Sequence, residues 1–470
     1  MRNEVSHAIR CGRLFPSRCL PVLLSVALLC GVRLATAMDA GEGPSVAPGN
    51  SSPATILLPE LWRMHGQFTG VAQWHPQFVA PYSGVNSLSP GNRNEETIDL
   101  TFYAGMRVWQ GGEIWINPEI DQGFGLNNTL GVAGFPSGEA YKVGMDHPYW
   151  RLPRLFLRQV FALGGAYQKV ESEANQLGGS RSSDNLILTV GKFSVVDIFD
   201  TNVYAHDPRS DFLNWAVVDA GAFDYAADAW GYTDGVAVEW TQSWWTLRGG
   251  IFALSKIPNG KSPDIGFHQH ALIGEGEERH QWLDHPGKLK LLVFVNHGRM
   301  ASYNDALRLA QLSGAVPDVA RVRRDDSRSG CAVNLEQEVA PSLGVFARVS
   351  FNEGGKEAYE FTEINKSLSG GVSIRGDAWG RHDDTVGIAA VLNGLSGDAR
   401  KYFAAGGMGI LIGDGRLPHY GLERILETYY SLHMTNDVAL SVDYQYIANP
   451  AYNRERGPAS IFGFRIHAEF

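Results

Sequence analysis

Between Asp197 and Asp211, seven polar side chains crowd fifteen positions: Asp197, Asp200, Asn202, His206, Asp207, Arg209 and Asp211. Carboxylates and amides accept hydrogen bonds from hydroxyl groups, and Arg presents a fixed fork of donors to adjacent ones, so this set has the chemistry to hold a polyol. A second set alternates with apolar residues: Arg107, Trp109, Asn117, Glu119 and Asp121 early in the chain, then Arg158 and Lys192, then Glu239 and Arg248. Along a water-filled passage these would supply hydrogen bonds, and Trp109 an aromatic face for the apolar side of a sugar ring, with affinity weak enough for release. The same residues also read as ordinary wet wall charges, and 197–211 as a solvated outer loop.

Other constellations suggest other chemistry. Glu119 and Asp121, two apart on a strand, would share a face about 7 Å apart, which superficially suits the acid and base of a glycan hydrolase. No G-x-S-x-G elbow, H-E-x-x-H helix or P-loop accompanies them. His268, His270, His280 and His285 invite a zinc or copper reading, but no carboxylate or thiol shares tight ligand spacing with them, so neither a metal nor a cofactor is expected. Arg321, Arg323, Arg324 and Arg328 form a basic run suited to lipopolysaccharide phosphates or to an acidic wall. Trp215, Trp230, Tyr232, Trp244 and Trp245 are candidates for stacking on sugar rings or for aromatic girdles at a lipid interface.

The elements that would position these residues are strands. Leu100, Phe102, Ala104, Met106 and Val108 share one face against Thr101, Tyr103, Arg107 and Trp109, and Ile114, Ile116 and Ile120 oppose Glu113, Trp115, Asn117, Glu119 and Asp121. Gln110-Gly111-Gly112 turns the first stretch into the second. Similar alternation marks 186–192, 236–241, 245–252, 290–296, 343–351, 372–379 and 438–447, while Asp197–Asn214, Pro258–Lys288, Ala306–Gly330 and Asn352–Ser367 read as long loops. Gly394–Leu422 reads either as one loop or as a strand with two turns. At the chain end, Phe462, Phe464, Ile466, Ala468 and Phe470 alternate with small or polar residues, as in the closing strand of an outer-membrane barrel, and Phe470 is the signal by which assembly machinery would engage it.

Arg2, Arg10, Arg13 and Arg18 precede an apolar run, Leu20 to Val32, and then Ala35-Thr36-Ala37, the pattern of a secretory leader cleaved after about Ala37. Its roughly 13 apolar residues fall short of the ~20 of a spanning helix. Residues 38–60 read as a flexible periplasmic segment and 61–470 as the folded domain. Losing residues 1–37 removes five basic residues and one acidic residue and leaves a net charge near −14, so nucleic acid is not a partner. Only Cys331 then remains, and the mature chain has no internal disulfide. Without an apolar run long enough for a helix, the spanning solution left is a closed barrel, although a soluble all-β sugar-binding module would share the alternation.

Several stretches in order resemble the carbohydrate-selective porin family of bacterial outer membranes (OprB type): Trp115-Ile-Asn-Pro-Glu-Ile120, Gly191-Lys-Phe-Ser-Val-Val-Asp197, Phe199-Asp-Thr-Asn202, Tyr204-Ala-His-Asp-Pro208, Phe212-Leu-Asn-Trp215 and Asn449-Pro-Ala-Tyr-Asn453 among them. The 222–231 stretch and Arg465-Ile-His467 continue the likeness, which spans about 61–470. The resemblance implies a transmembrane antiparallel β-barrel of about 16 strands (16–18 by length), with an inward-folded constriction loop. It implies passive diffusion of monosaccharides such as glucose, with small sugars, outer-membrane lipid and lipopolysaccharide as partners and no catalysis. A general small-solute porin is the alternative, and monomer and trimer stay equally open.

Overall fold

The computed structural model describes residues 59–140, 143–361 and 363–470. The leader, its cleavage site and most of the 38–60 segment lie outside the described residues.

Sixteen strands pair antiparallel, each with its neighbours in sequence, and the first closes on the last. One half of the wall is β1 (Trp62–His75), β2 (Arg93–Trp109), β3 (Gly112–Gly123), β4 (Met145–Val170), β5 (Gly179–Phe193), β6 (Thr233–Gln242), β7 (Trp245–Ala253) and β8 (His270–Trp282). The other half is β9 (His285–Met300), β10 (Arg324–Ala340), β11 (Leu343–Asn352), β12 (Lys366–Gly376), β13 (Arg381–Gly394), β14 (Glu423–His433), β15 (Val438–Ala448) and β16 (Ala459–Glu469). Closure leaves no free edge, and Phe470 is stitched in by reciprocal backbone bonds with Gly66 of 2.7 and 2.9 Å. A barrel of this strand number is wide enough for an aqueous lumen.

The side-chain period of two decides what faces where. On β16 Phe462 and Phe464 are exposed outward while Arg465 and His467 are buried inward. On β3 Ile114, Ile116 and Ile120 point out, whereas Asn117, Glu119 and Asp121 point in. Outward-facing apolar residues and inward-facing polar ones are the pattern of a barrel in lipid. Among the described residues no helix is long and apolar enough to cross a membrane.

Connections alternate in length, defining a turn end (Gln110-Gly111, Ser243-Trp244, Leu283-Asp284) and a loop end. The longest loop-end connection, between β5 and β6, does not stay outside. It enters the barrel and reaches walls far from its own strands: Asn202 bonds Asn334 on β10 at 2.7 Å, and the backbone N–H of Leu213 bonds Glu427 on β14 at 2.6 Å. Aromatic side chains pack it in place, with Phe199 edge-on to Phe252 at 5.9 Å and Phe212 edge-on to Tyr429 at 4.9 Å. Gly387 on β13 leaves the needed space, since a Cβ there would fall 2.8 Å from the Phe212 ring.

The structure corrects two loop assignments and decides a third. Pro258–Lys288 contains all of β8, whose inward face carries Ala271 and Ile273 toward the apolar loop residues and then Glu275 and Glu277. Ala306–Gly330 holds most of a helix, Tyr303–Ser313, capped by Ser302 and ended by left-handed Gly314, and then the start of β10. Gly394–Leu422 is a loop carrying the helix Gly397–Ala404, capped by Ser396.

Candidate functional site

Three cavities mark the lumen. One of about 180 Å³ is lined by loop residues and Arg154 of β4; a second of about 840 Å³ is lined by β4–β8; a third of about 490 Å³ is lined by strands from β10 to β16. Asp197, His206 and Asp207 line both the first and the second, and Arg209 lines both the first and the third. These four side chains therefore stand at the partition, and all come from the inward-folded β5–β6 connection.

Charge pairs organise the partition. Arg154 binds Asp197 bidentately at 2.6 and 2.8 Å. Burial alone would raise the Asp197 carboxyl, yet Arg154 and the backbone N–H of Ser194 hold it below its ordinary value. Arg209 sits among Glu139 at 3.4 Å, Asp99 at 3.7 Å and Glu119 at 3.9 Å. Asp207 likewise stays below its ordinary value, because Arg209 outweighs the opposing effect of burial. Two neighbours go the other way: burial and Asp207 raise Asp211 to about 6, and burial and Asp200 raise Asp219 to about 8. Burial, with Arg348 next, lowers His206, which stands 3.8 Å from Asp219.

Aromatic faces complete the smallest cavity. Trp215 stacks between Phe135 (ring centroids 5.0 Å apart, 16° between planes) and Phe361 (4.7 Å, 28°). Arg151 and Arg154 lie 5.4 and 5.0 Å from the Tyr232 ring, and Arg151 also lies 5.1 Å from Trp230. Facing the same space, Arg154 Nη1, Trp215 Nε1, Asp219 Oδ1 and Glu360 Oε2 are buried without a protein hydrogen-bond partner. Flat apolar faces beside unmatched donors and acceptors are what a sugar ring requires.

The remaining expected residues take other positions. Arg158 lines the 840 Å³ cavity, donating to the Asn175 carbonyl at 2.6 Å, as does the Arg248 cluster with Glu239, Glu275 and Glu277 at 2.8 to 3.0 Å. Lys192, expected in the pore, shares the outward face of β5 with exposed Val190, pairs with Asp228 at 3.1 Å and lines none of the three cavities. Arg107 faces inward near the turn end, tied to Glu113 and to the Glu60 carbonyl. Asn117 is fully buried on the inner wall but lines none of the three cavities.

Three further expectations need correcting. A bulge between Arg107 and Trp109 takes Trp109 off the inner face; it is exposed at the turn end and bonds Gln159 at 2.5 Å. Asp200 is an anchor, not a pore lining: in left-handed backbone (φ 56°), its carboxylate takes Ala220 N–H at 2.6 Å, Asn334 at 2.7 Å and Arg348 at 3.2 Å. Asn202 likewise binds the β10 wall through Asn334 and the Leu335 carbonyl.

Arg151 and Arg154 escaped the sequence reading. Strict alternation puts residues three apart on opposite faces, but Asn117 pairs with Arg154 and Glu119 with Arg151, so Pro118 faces the two-residue step Leu152-Pro153. That bulge turns both arginines inward, and the facing prolines were the available signal. Glu119 and Asp121 clamp the Arg151 guanidinium at 2.7 and 2.5 Å, and the cavity beside Asp121 measures about 10 Å³, too small for a glycan. The basic run disperses: Arg323 pairs with Glu357, Arg324 with Asp305, and Arg328, buried inside, with Asp224.

A family model described as carbohydrate-selective porin, OprB family, matches residues 85–470. The structure is similar to that of Pseudomonas putida OprB at high pH, with a TM-score of 0.66 and 17% identity over 87% of this chain and 94% of that one. The outer-membrane channel DcaP of Acinetobacter baumannii gives a TM-score of 0.45 and 10% identity over 87% and 97% of the two chains. No curated protein matches the sequence.

Proposed function

Because the chain belongs to the carbohydrate-selective porin, OprB family, a family of outer-membrane channels, we propose that it lets monosaccharides such as glucose diffuse passively into the periplasm through the partition at Asp197, His206, Asp207 and Arg209. The observation that carries this reading is the aromatic cavity of about 180 Å³ directly against that partition. Its volume is below the ~300–1,000 Å³ of pockets for drug-sized ligands, which suits one sugar ring better than an oligosaccharide. Trp215, through its unpartnered Nε1, and Arg154, Asp219 and Glu360 offer hydroxyl partners. Arg154, Arg209 and Arg248 each sit against carboxylates, so the passage favours a neutral polyol that inserts into existing pairs over an ion that must break them.

Single-channel conductance in a planar bilayer tests the reading, with glucose and an uncharged non-sugar solute of similar size titrated against the open current. Saturable block by glucose alone is the expected result. Conductance with no selective block would instead identify a general small-solute porin.

A further inference from the structure

The outer surface of the barrel carries its charge unevenly at the loop end. On β2 and β6 the outward-facing charges nearest the loops are acidic: Glu96, two residues from exposed Ile98, and Asp234, two residues from outward Val236. On β12 and β14 they are basic. Lys366 shares the outward face with exposed Leu368, and Arg424 with exposed Leu426. Both cations are exposed, and neither has a carboxylate within 4 Å among the described residues, in a chain that carries more acidic than basic residues.

These cations lie close together. In the strand between them, Lys366 is opposite Gly394 and Arg424 is opposite Leu392. The Lys366 stem crosses the bare backbone of Gly394, where a Cβ would meet Lys366 Cε at 2.6 Å and Leu422 Cδ2 at 3.0 Å. Arg454, exposed in the β15–β16 connection and also without a carboxylate partner, rests against Gly421, three residues before Arg424. The acids nearest in sequence are engaged elsewhere: Glu423 faces inward to backbone N–H groups, and Glu455 bonds His419 at 2.7 Å. Immediately toward the membrane lies the outward apolar band of Leu368, Leu392 and Leu426.

We infer that Lys366, Arg424 and Arg454 form a docking surface for the phosphate groups of an outer-leaflet glycolipid, the lipid A portion of lipopolysaccharide. Free phosphate would need only the cations. A ligand that matches the cations and the apolar band below them carries phosphate and acyl chains in one molecule. The residues that the sequence singles out for this role, Arg321 to Arg328, are mostly paired with protein carboxylates, whereas these three are not.

The test uses native mass spectrometry of the purified barrel in detergent, with bis-phosphorylated lipid A and with the same lipid after phosphate removal. Wild type should bind the phosphorylated lipid at least tenfold more tightly than the triple variant K366E/R424E/R454E. K401E, which alters an exposed cation already paired with Asp398 at 3.2 Å, should bind like wild type. Sugar block should be unchanged in the triple variant, because none of the three lines a lumen cavity. If the triple variant loses heat-modifiable migration, the milder R424Q should still weaken lipid binding several-fold. Equal binding by wild type and a folded variant, equal binding of the dephosphorylated lipid, or displacement of the lipid by inorganic phosphate at matched concentration would each overturn the inference.

Discussion

Strands β3–β8 and β10–β16 both turn polar residues inward, but they use them on different targets. On β4 and β7, Arg154, Arg158 and Arg248 pair mostly with side chains and border open space. On the opposite wall the inward charges hold loop backbone. Arg348 donates to the carbonyls of Val217 (2.7 Å), Ala205 (2.8 Å) and Asp200 (3.1 Å). Arg465 takes those of Pro208, Ser210 and Asp211 at 2.7 to 2.8 Å, and Glu427 accepts the N–H groups of Leu213 and Asn214. A loop inside a barrel has lost the partners of a sheet and part of its water, so its buried peptide groups need replacements. In the proposed function one wall meets the solute, while the other fixes the loop that enters the barrel.

The comparison breaks most visibly if an anchor is removed. Arg348→Ala should cost about 3–5 kcal/mol, the usual penalty for removing one partner of a buried ionic contact, because Asp200 and three carbonyls lose their donor together. Detachment of the loop should raise single-channel conductance and current noise and lower the temperature at which the barrel loses its fast gel migration. An unchanged conductance would show that the loop is held without this wall. On the opposite side, Arg154→Ala should leave thermal behaviour nearly unaltered and weaken glucose block about tenfold, as expected from losing one hydrogen bond to a charged group. Arg158→Ala, in the wider cavity, should weaken it less.

Trp215→Ala sharpens the same contrast at smaller size. Its indole N–H is one of the unmatched donors at the cavity, and a single hydrogen bond contributes about 0.5–1.5 kcal/mol, so a several-fold rise in the glucose concentration for half block is expected. Block by the non-sugar solute should not move. A parallel change for both solutes would mean that Trp215 shapes the opening without contacting the sugar.

The wall that meets the solute was easier to read in the sequence than the wall that holds the loop. Period-two alternation set the faces of β2, β3, β15 and β16 because lipid and water impose opposite demands on adjacent residues. The crowd of polar residues at 197–211 marked the segment that enters the barrel, since an ordinary strand has no use for such density. Alternation failed where a bulge resets it, at Trp109 and at Arg151 and Arg154. It also could not distinguish a solute contact from an anchor: Asp200 resembles Asp197 locally, and only the distant strand opposite it, β11 with Arg348, makes it structural. Trp215 was ambiguous for the same reason, because its stacking partners Phe135 and Phe361 come from two other loops.

The smallest expected effect concerns the partition itself. Asp211 at about 6 and Asp219 at about 8 are carboxyls raised by burial and by neighbouring carboxylates, so both are largely neutral at pH 5 and both are ionised at pH 9. Asp211 borders the 490 Å³ cavity and Asp219 the 180 Å³ cavity, so up to two negative charges appear beside the path across that interval. His206, lowered by burial, adds no compensating positive charge above neutrality. Raising the pH from 5 to 9 should therefore move the reversal potential under a salt gradient toward cation selectivity, by a few millivolts and in two steps. Asp219→Asn should remove the upper step and keep the lower, while Arg348→Ala, by releasing the segment that buries Asp211, should shift the lower step toward lower pH. The double dependence separates the two walls once more: the charge that appears faces the path, but the pH at which it appears is set by the anchors that keep the loop buried.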